Sequence, residues 1–369
     1  MSSSRVKPRA RDLGVPFLGV TGRCNAITDV EGVTVGHSTI IEGDGGLNVS
    51  VNMVRTGVTA VLHRGEANDP VFAGWACLNG NGEMTGTTWV DESGFLSGPI
   101  MITNTHSVGV VHDAVIEWMQ RKKGSSLGDP WSLPVVAETY DGLLNDINGF
   151  HVKKEHAFEA IETSSTGLIA EGNVGGGTGM ICHQFKGGIG TSSRVSTIGL
   201  HEYVVGVLVQ ANYGLRSLLT ITGVPVGQEI PDLMPEEHIT QAPNEQGSII
   251  VVIATDAPLL PHQLKRLARR ASMGVARVGG VGGNGSGDIF IAFSTSNPRV
   301  YSDTEVKDVR MLPNELMSDL FLATVQATEE AIVNALVAAE TMVGINGNKV
   351  YAIPHDRLRS ALKKYNRLA

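Results

Sequence analysis

The tightest constraint on this chain is a set of short apolar segments. Residues 58–62, 100–103, 135–139, 203–210, 249–254 and 289–293 have the length of β-strands, and several are apolar at successive positions, as in IIVVIA. Successive side chains of a strand point to opposite faces. Strands of this kind must therefore be covered on both sides, which requires sheets buried beneath other layers. Helical spacing supplies the cover. Leu264, Leu267, Ala268, Ala271 and Val275 recur at i, i+3, i+4, i+7 and i+11, with Lys265, Arg266, Arg269 and Arg270 between them. Further helices are predicted over 108–119, 153–163, 314–342 and 356–365, the third beginning after Pro313 and rich in alanine. The pattern predicts a layered α/β (α+β) fold, neither a bundle nor an all-β sandwich.

Composition removes several function classes. The 29 Lys+Arg against 37 Asp+Glu give a net charge of −8, whereas proteins that bind nucleic-acid backbones carry a basic surface. The basic residues around 265–270 then read as a solvated helix face. Cys24, Cys77 and Cys182 are odd in number and lack C-x-x-C spacing, which supports neither a disulfide framework nor a paired-cysteine zinc site. A reducing compartment fits, so the expected location is cytoplasmic. The start, MSSSRVKPRARDLGVPF, has no following apolar stretch of signal-peptide length, and no run of 18 uninterrupted apolar residues predicts a membrane span. The 11 histidines are scattered without an H-E-x-x-H pattern, so no metal is expected.

The 45 glycines cluster, eight within 172–190 and six within 279–287. Gly280, Gly282 and Gly285 satisfy the spacing G-x-G-x-x-G. A dinucleotide loop follows a strand and opens a helix, and this one follows a predicted helix and opens a strand, so no nucleotide cofactor is expected. Gly175-Gly176-Gly177-Thr178-Gly179 lacks the lysine of a phosphate loop and reads as backbone lining an active site.

One junction stands out. Residues 225–247, PVGQEIPDLMPEEHITQAPNEQG, hold four prolines and five acidic residues and predict a surface loop that stops where the strand 249–254 begins. Residues 1–247 carry a net charge of −11 and residues 248–369 a net charge of +3. Opposite signs would help two fragments stay together if the chain were cut here, although hydrophobic packing would have to dominate. Ser248 at the start of a buried strand is rigidly held, and Gly247 leaves its carbonyl carbon open to attack by the Ser248 hydroxyl, as an N-to-O acyl shift requires. A freed Ser248 would carry a nucleophile and an α-amine with a pKa near ~7.7–8.0, a base poised near physiological pH. From spacing alone, Gly-Ser is also an ordinary turn from a loop into a strand.

The stretches PRARDLGVPFLGVTG, AETYDGLLNDING, EGNVGGGTGM, GVLVQANYG, NEQGSIIVVIATDAPL and GGNGSGDIFIAFST occur in that order along nearly the whole chain. They resemble the self-processing aminopeptidases that include the L-aminopeptidase/D-amidase-esterase and the β-peptidyl aminopeptidases. The resemblance implies one domain spanning 1–369, cut into an α chain (1–247) and a β chain (248–369) that stay associated. The implied fold is an αββα sandwich, like that of N-terminal-nucleophile hydrolases but with different connectivity. It also implies a homo-oligomer, a tetramer of αβ pairs, with no metal or cofactor, acting on short peptides, amino-acid amides or esters.

By the same resemblance, Ser248 is the nucleophile, Ser286 and Asp288 hold its amine and relay its proton, and Asn212 and Tyr140 stabilise the oxyanion. Glu138 would meet the substrate ammonium, with Asp141 as second choice, and Trp131 would wall the side-chain pocket. Read without the family, Asn212 is a strand-end cap, Tyr140 a core-edge aromatic and Trp131 simple packing. The rival functions are an acyltransferase of the ornithine acetyltransferase type, whose members self-process at a threonine, and a non-catalytic scaffold.

Overall fold

The computed structural model describes residues 7–43, 53–66, 69–123, 131–237, 247–302 and 304–368. Residues 238–246 of the expected loop lie outside this description. Two sheets form the centre. The first holds four strands in the order β1 (Thr34–Glu42), β2 (Val54–Glu66), β5 (Ile100–Asn104) and β6 (Val135–Thr139). The second holds six in the order β4 (Phe95–Leu96), β3 (Val71–Cys77), β12 (Ile289–Ser294), β11 (Ser248–Thr255), β10 (His201–Asn212) and β9 (Gly188–Ile198). Two short hairpins, β7 (Ile181–Cys182) with β8 (Phe185–Lys186) and β13 (Met342–Val343) with β14 (Lys349–Val350), complete the strands.

The alternation along each strand explains the layering. In β11, Ile250, Val252 and Ala254 join Leu208, Ile289 and Ile291 of the same sheet and Val61, Ile102, Val135 and Ala137 of the first sheet in a core between the sheets. Ile249, Val251 and Ile253 point the other way, against Leu264, Leu267, Ala271, Ala327 and Ala331. These come from α5 (Pro261–Ala268), α6 (Ala271–Arg277) and α7 (Ser318–Ala338), which cover the second sheet. The outer face of the first sheet, through Val58, Ala60, Met101 and Val136, packs on Val111, Val115, Ala157 and Ile161. Those belong to α2 (Val108–Lys123) and α3 (Lys154–Glu162). Three further helices, α1 (Thr87–Ser93), α4 (Val226–Glu229) and α8 (His355–Lys364), extend these cores: Val90 joins the one between the sheets, and Val226, Leu358 and Leu362 join the one beneath the helices. The result is the four-layer αββα sandwich.

Several expectations need adjustment. The helix expected through Leu264–Val275 is two helices, broken at Arg269 and Arg270. The long helix ends at Ala338, because Ala339 is extended (φ −72°, ψ 149°), and Met342 belongs to β13. Pro225–Leu233 is better ordered than a loop: it includes α4, and Arg216 donates to the carbonyls of Ile230, Asp232 and Leu233. By length and composition residues Asn314–Ala338 could cross a membrane, yet the most apolar part is 89% buried in this fold.

A buried charge cluster ties the amino-terminal segment and β9 to α7. Glu330 and Arg194 are almost completely inaccessible and pair at 2.6 Å. Arg11 also donates to both Glu330 oxygens at 2.8 Å, and Asn25 donates to Oε1 at 2.6 Å. Burial alone would raise the Glu330 pKa, but the Arg11 hydrogen bonds and the attraction of Arg194 hold it below the ordinary range. Removing Glu330 leaves Arg194 buried without its carboxylate, which costs about 3–5 kcal/mol. Glu330→Ala should therefore lower the unfolding free energy by about that amount, read by chemical denaturation at pH 7. Because the folded pKa is depressed, the wild-type contribution is present above the unfolded carboxylate pKa of ~4.3 and lost as pH falls below it. The difference between variant and wild type should shrink in acid.

Candidate active site

Ser248 is the first residue of β11, and because Ile249 faces the helices, the Ser248 side chain faces the layer between the sheets. It is buried. Gly247 precedes it in a position that no larger residue could hold: a Cβ there would run into Asn212 O and lie 2.8 Å from Tyr213 Cα. Across the antiparallel ladder, Asn212 is the direct partner of Ser248. Directly paired residues carry side chains on the same face, roughly 5 Å apart at Cβ.

The other neighbour, β12, runs parallel to β11 and delivers the turn that precedes it. The Gly287 N–H donates to Ser248 Oγ at 3.0 Å. Asp288 Oδ1 accepts from Ser286 Oγ at 2.6 Å and from Ile249 N at 3.2 Å. Ser286 and Asp288 are both buried. The i, i+2 spacing thus places them together at the start of the strand, beside the Ser248–Ile249 peptide.

A loop following β3 clamps this turn. Asn79 Oδ1 accepts from Asp288 N at 2.7 Å, Leu78 N donates to Asp288 O at 2.9 Å, and Asn81 N donates to Ser286 O at 3.2 Å. Gly287 sits so close to this loop that a Cβ would run into Asn81 O and lie 2.6 Å from Gly82 Cα. A Cβ on Gly82 would in turn lie 3.4 Å from Glu138 Oε1. Asn79, Asn81 and the Gly82–Gly287 contact were not legible as site features. Asn-Gly-Asn-Gly at 79–82 was their only signal, and it reads equally as a turn.

Glu138, near the end of β6, accepts from Glu83 N at 3.0 Å and from Thr105 Oγ1. Burial raises its pKa, against the pull of those donors. Asn212 is held from both ends of its carboxamide: Oδ1 accepts from Ile181 N at 2.8 Å, and Nδ2 donates to the Tyr140 carbonyl at 3.0 Å. One Nδ2 proton is left for another acceptor. Tyr140 therefore touches Asn212 through its backbone, while its half-exposed ring folds over Gly142. Burial and the nearby Asp141 push the phenol pKa up, so the hydroxyl remains a donor at physiological pH.

Two expected residues lie elsewhere. Asp141 is buried and turned toward Asn145, which donates to its Oδ1 at 3.1 Å, and burial raises its pKa to about 7. It does not share the Glu138 site. Trp131 precedes β6, beyond the end opposite Glu138, and packs edge-to-face on Trp89 at 5.0 Å. There it lines a separate cavity of about 210 Å³ with Phe95, Met119 and Tyr301. Among the described residues, no group of three or more His, Cys, Asp or Glu side chains is placed to hold a metal ion.

A model of peptidase family S58 matches residues 25–350. The chain belongs to peptidase family S58. This S58 chain is 56% identical over 380 residues to β-peptidyl aminopeptidase BapA of Sphingosinicella microcystinivorans, covering 100% of the chain and 95% of that protein. It also matches the L-aminopeptidase D-Ala-esterase/amidase of Ochrobactrum anthropi with a TM-score of 0.92 and 51% identity, covering 98% and 100% of the two chains. That structure is described as a prototype for the serine aminopeptidases and a new variant of the Ntn hydrolase fold. A β-aminopeptidase from a Burkholderia species matches with a TM-score of 0.87 and 48% identity over 97% and 99% of the chains.

The Gly287 geometry yields a test. In Gly287→Ala the added Cβ meets the backbone of Asn81 and Gly82, which cannot give way cheaply, so the turn and its N–H facing Ser248 must shift. A displacement of about 1 Å at a reacting group costs about 10²-fold. A loss of that order in kcat, with a lowered melting temperature, is the expected result.

Proposed function

We propose that this S58 aminopeptidase cuts itself between Gly247 and Ser248 and then releases N-terminal residues from short peptides, amino-acid amides or esters. The observation that carries this reading is the position of Ser248 on a central strand, with Asn212 directly across from it and the Ser286–Asp288 pair on its other side. In the first step Ser248 Oγ attacks the Gly247 carbonyl carbon. The C–N bond breaks, and an ester and a free α-amine form. Water then hydrolyses the ester, leaving a carboxylate on residue 247 and Ser248 as a new amino terminus.

In turnover the neutral α-amine accepts the Ser248 hydroxyl proton as Oγ attacks the substrate carbonyl. The free Nδ2 proton of Asn212 meets the oxyanion. Tyr140 supplies a second donor once its ring swings off Gly142. The leaving amine takes the proton from the α-ammonium, which Ser286 and Asp288 hold. Water then attacks the acyl-enzyme. Glu138 receives the substrate ammonium, since a buried carboxylate is the natural partner of a desolvated cation.

The names of the relatives, which cover L-amino acids, D-Ala esters and amides and β-peptides, support a substrate range set by the free amine and not by one backbone type. Membership of a peptidase family weighs for hydrolysis against acyl transfer, as does a serine at position 248. A cytoplasmic homo-oligomer, a tetramer of αβ pairs, is proposed as the working form. Three unpaired cysteines and the family resemblance support it.

On a denaturing gel the purified enzyme should run as two bands, near two thirds and one third of 39.1 kDa. Ser248→Ala should give a single uncut band without activity, and an intact, active wild-type chain would refute the proposal. Glu138→Gln should raise KM for free-amine substrates by about 10–100-fold, the worth of a hydrogen bond to a charged group, with a smaller change in kcat. Steady-state kinetics on an amino-acid p-nitroanilide measures both.

A further inference from the structure

Lys186, in β8, is completely buried, and its ammonium has no carboxylate partner. Its three protons go to backbone carbonyls: Met180 O at 2.7 Å, Gly187 O at 3.0 Å and Gly177 O at 3.3 Å. Burial and the nearby charge of Lys7 lower its pKa to about 7, and Cys182 and Asp141 oppose this only through space. Taking an ammonium out of water costs several kcal/mol even after relaxation. An apolar side chain would fill the same place without that cost, so the fold alone does not account for a lysine here.

The strongest of the three bonds points to a role. Met180 O belongs to the peptide group whose N–H, on Ile181, donates to Asn212 Oδ1 at 2.8 Å. A continuous chain therefore runs from the Lys186 ammonium, through the 180–181 peptide, to the Asn212 carboxamide. Each amide in such a chain is polarised by the donor behind it and becomes a better donor in front. The last donor is the Nδ2 group of Asn212, the residue paired directly across the ladder with Ser248.

We propose that Lys186 is a positioning residue for acyl transfer: through the Met180–Ile181 peptide and the Asn212 carboxamide it orients and polarises the N–H offered to the oxyanion. This rests on the reading of Asn212 as the oxyanion donor. The relay is neutral everywhere except at its buried end. It places the Lys186 ammonium three hydrogen bonds behind the point where negative charge develops, which favours the transition state over the neutral ground-state carbonyl. KM should therefore depend little on Lys186, and kcat should depend on it.

The test uses Lys186→Met and Lys186→Gln in the full chain, with processing checked on a gel and folding by melting. Kinetics are measured on an amino-acid p-nitroanilide. Two inhibitors are compared, an α-aminoalkyl boronic acid, which forms a tetrahedral anion on Ser248, and the matching amino alcohol, which forms none. Lys186→Met should lose about tenfold in kcat and in boronate affinity, with KM and amino-alcohol affinity unchanged. Lys186→Gln keeps an N–H for Met180 but no charge, and should fall between Lys186→Met and wild type.

Asn212→Ala should lose about 10²–10³ in kcat, and adding Lys186→Met to it should cost nothing further. Wild-type kcat and boronate affinity in Lys186→Gln would overturn the relay even if Lys186→Met fails to fold. Equal losses for the boronate and the amino alcohol, or a full Lys186→Met effect in the Asn212→Ala background, would also overturn it. If Asn212→Ala retains full kcat, it is the reading of Asn212 that fails, whatever Lys186 does.

Discussion

Everything at the site depends on β11 being a central strand buried on both faces. Its hydrogen bonds to β10 on one side and β12 on the other fix the axial position of Ser248 from both neighbours at once. Its alternating side chains fix which way Ser248 points. A one-residue slip would send Ser248 to the helix side and Ile249 into the cleft, while exchanging apolar side chains between two packed cores. The register of the nucleophile is thus enforced by packing far from it. The site residues on β10, on β12 and in the turn before it acquire their positions through the same ladder.

The same strand explains how a cut at 247–248 is compatible with a stable molecule. Residues 248–369 contribute β11 and β12 to the second sheet, inserted between β10 and β3 of the preceding portion. They also contribute α5, α6 and α7, which cover it. Separating the two portions would break two strand ladders and open two apolar cores. The net charges of −11 and +3 are a minor addition. Individual charge contacts across the division run both ways: Arg11 and Arg194 of the first portion surround Glu330 of the second, while Lys265, Arg357 and Lys364 of the second pair with Asp91, Asp232 and Glu229 of the first.

The strands that could be read from the sequence are those whose burial is hydrophobic. β6 was expected at its observed bounds, and β5, β11 and β12 to within a residue at each end. β9, GIGTSSRVSTI, escaped because its inward residues are polar and satisfied by specific partners: Thr191 Oγ1 donates to Val207 O, Ser192 Oγ to Ala327 O, and Arg194 to Glu330. β1 and β3 went unread for a related reason, their apolar residues being interrupted by Gly36, His37 and Ser38 and by Gly74. At the site, Ser248, Asn212, Ser286, Asp288 and Glu138 were legible through ordered motifs. Trp131 was drawn in by proximity in sequence to Glu138, but an extended strand of five residues separates its ends by about 13 Å. Lys186 was invisible, because a single lysine in a short hairpin reads as surface until its burial is known.

The glycine-rich stretch at 172–190 acquires its meaning from the space between the sheets. That layer is apolar along β11 and β12, but near the site it turns polar. Gln210, two residues before Asn212 on the same face of β10, donates to Thr103 O and Thr139 Oγ1. Gly175 and Gly176 fill the remaining gap, donating through their backbones to Thr39 Oγ1 and Thr59 Oγ1. A Cβ on Gly176 would run into Gln210 and lie 2.7 Å from Ile102 O, so a side chain there would push the sheets apart. Within it Gly175–Gly179, expected to line the active site, form a plug of backbone amides between the sheets. A plug of this kind carries dipoles without mobile side chains. It can support a polar site at the end of a sandwich without admitting the water that would screen Asn212 and the charges around Ser248.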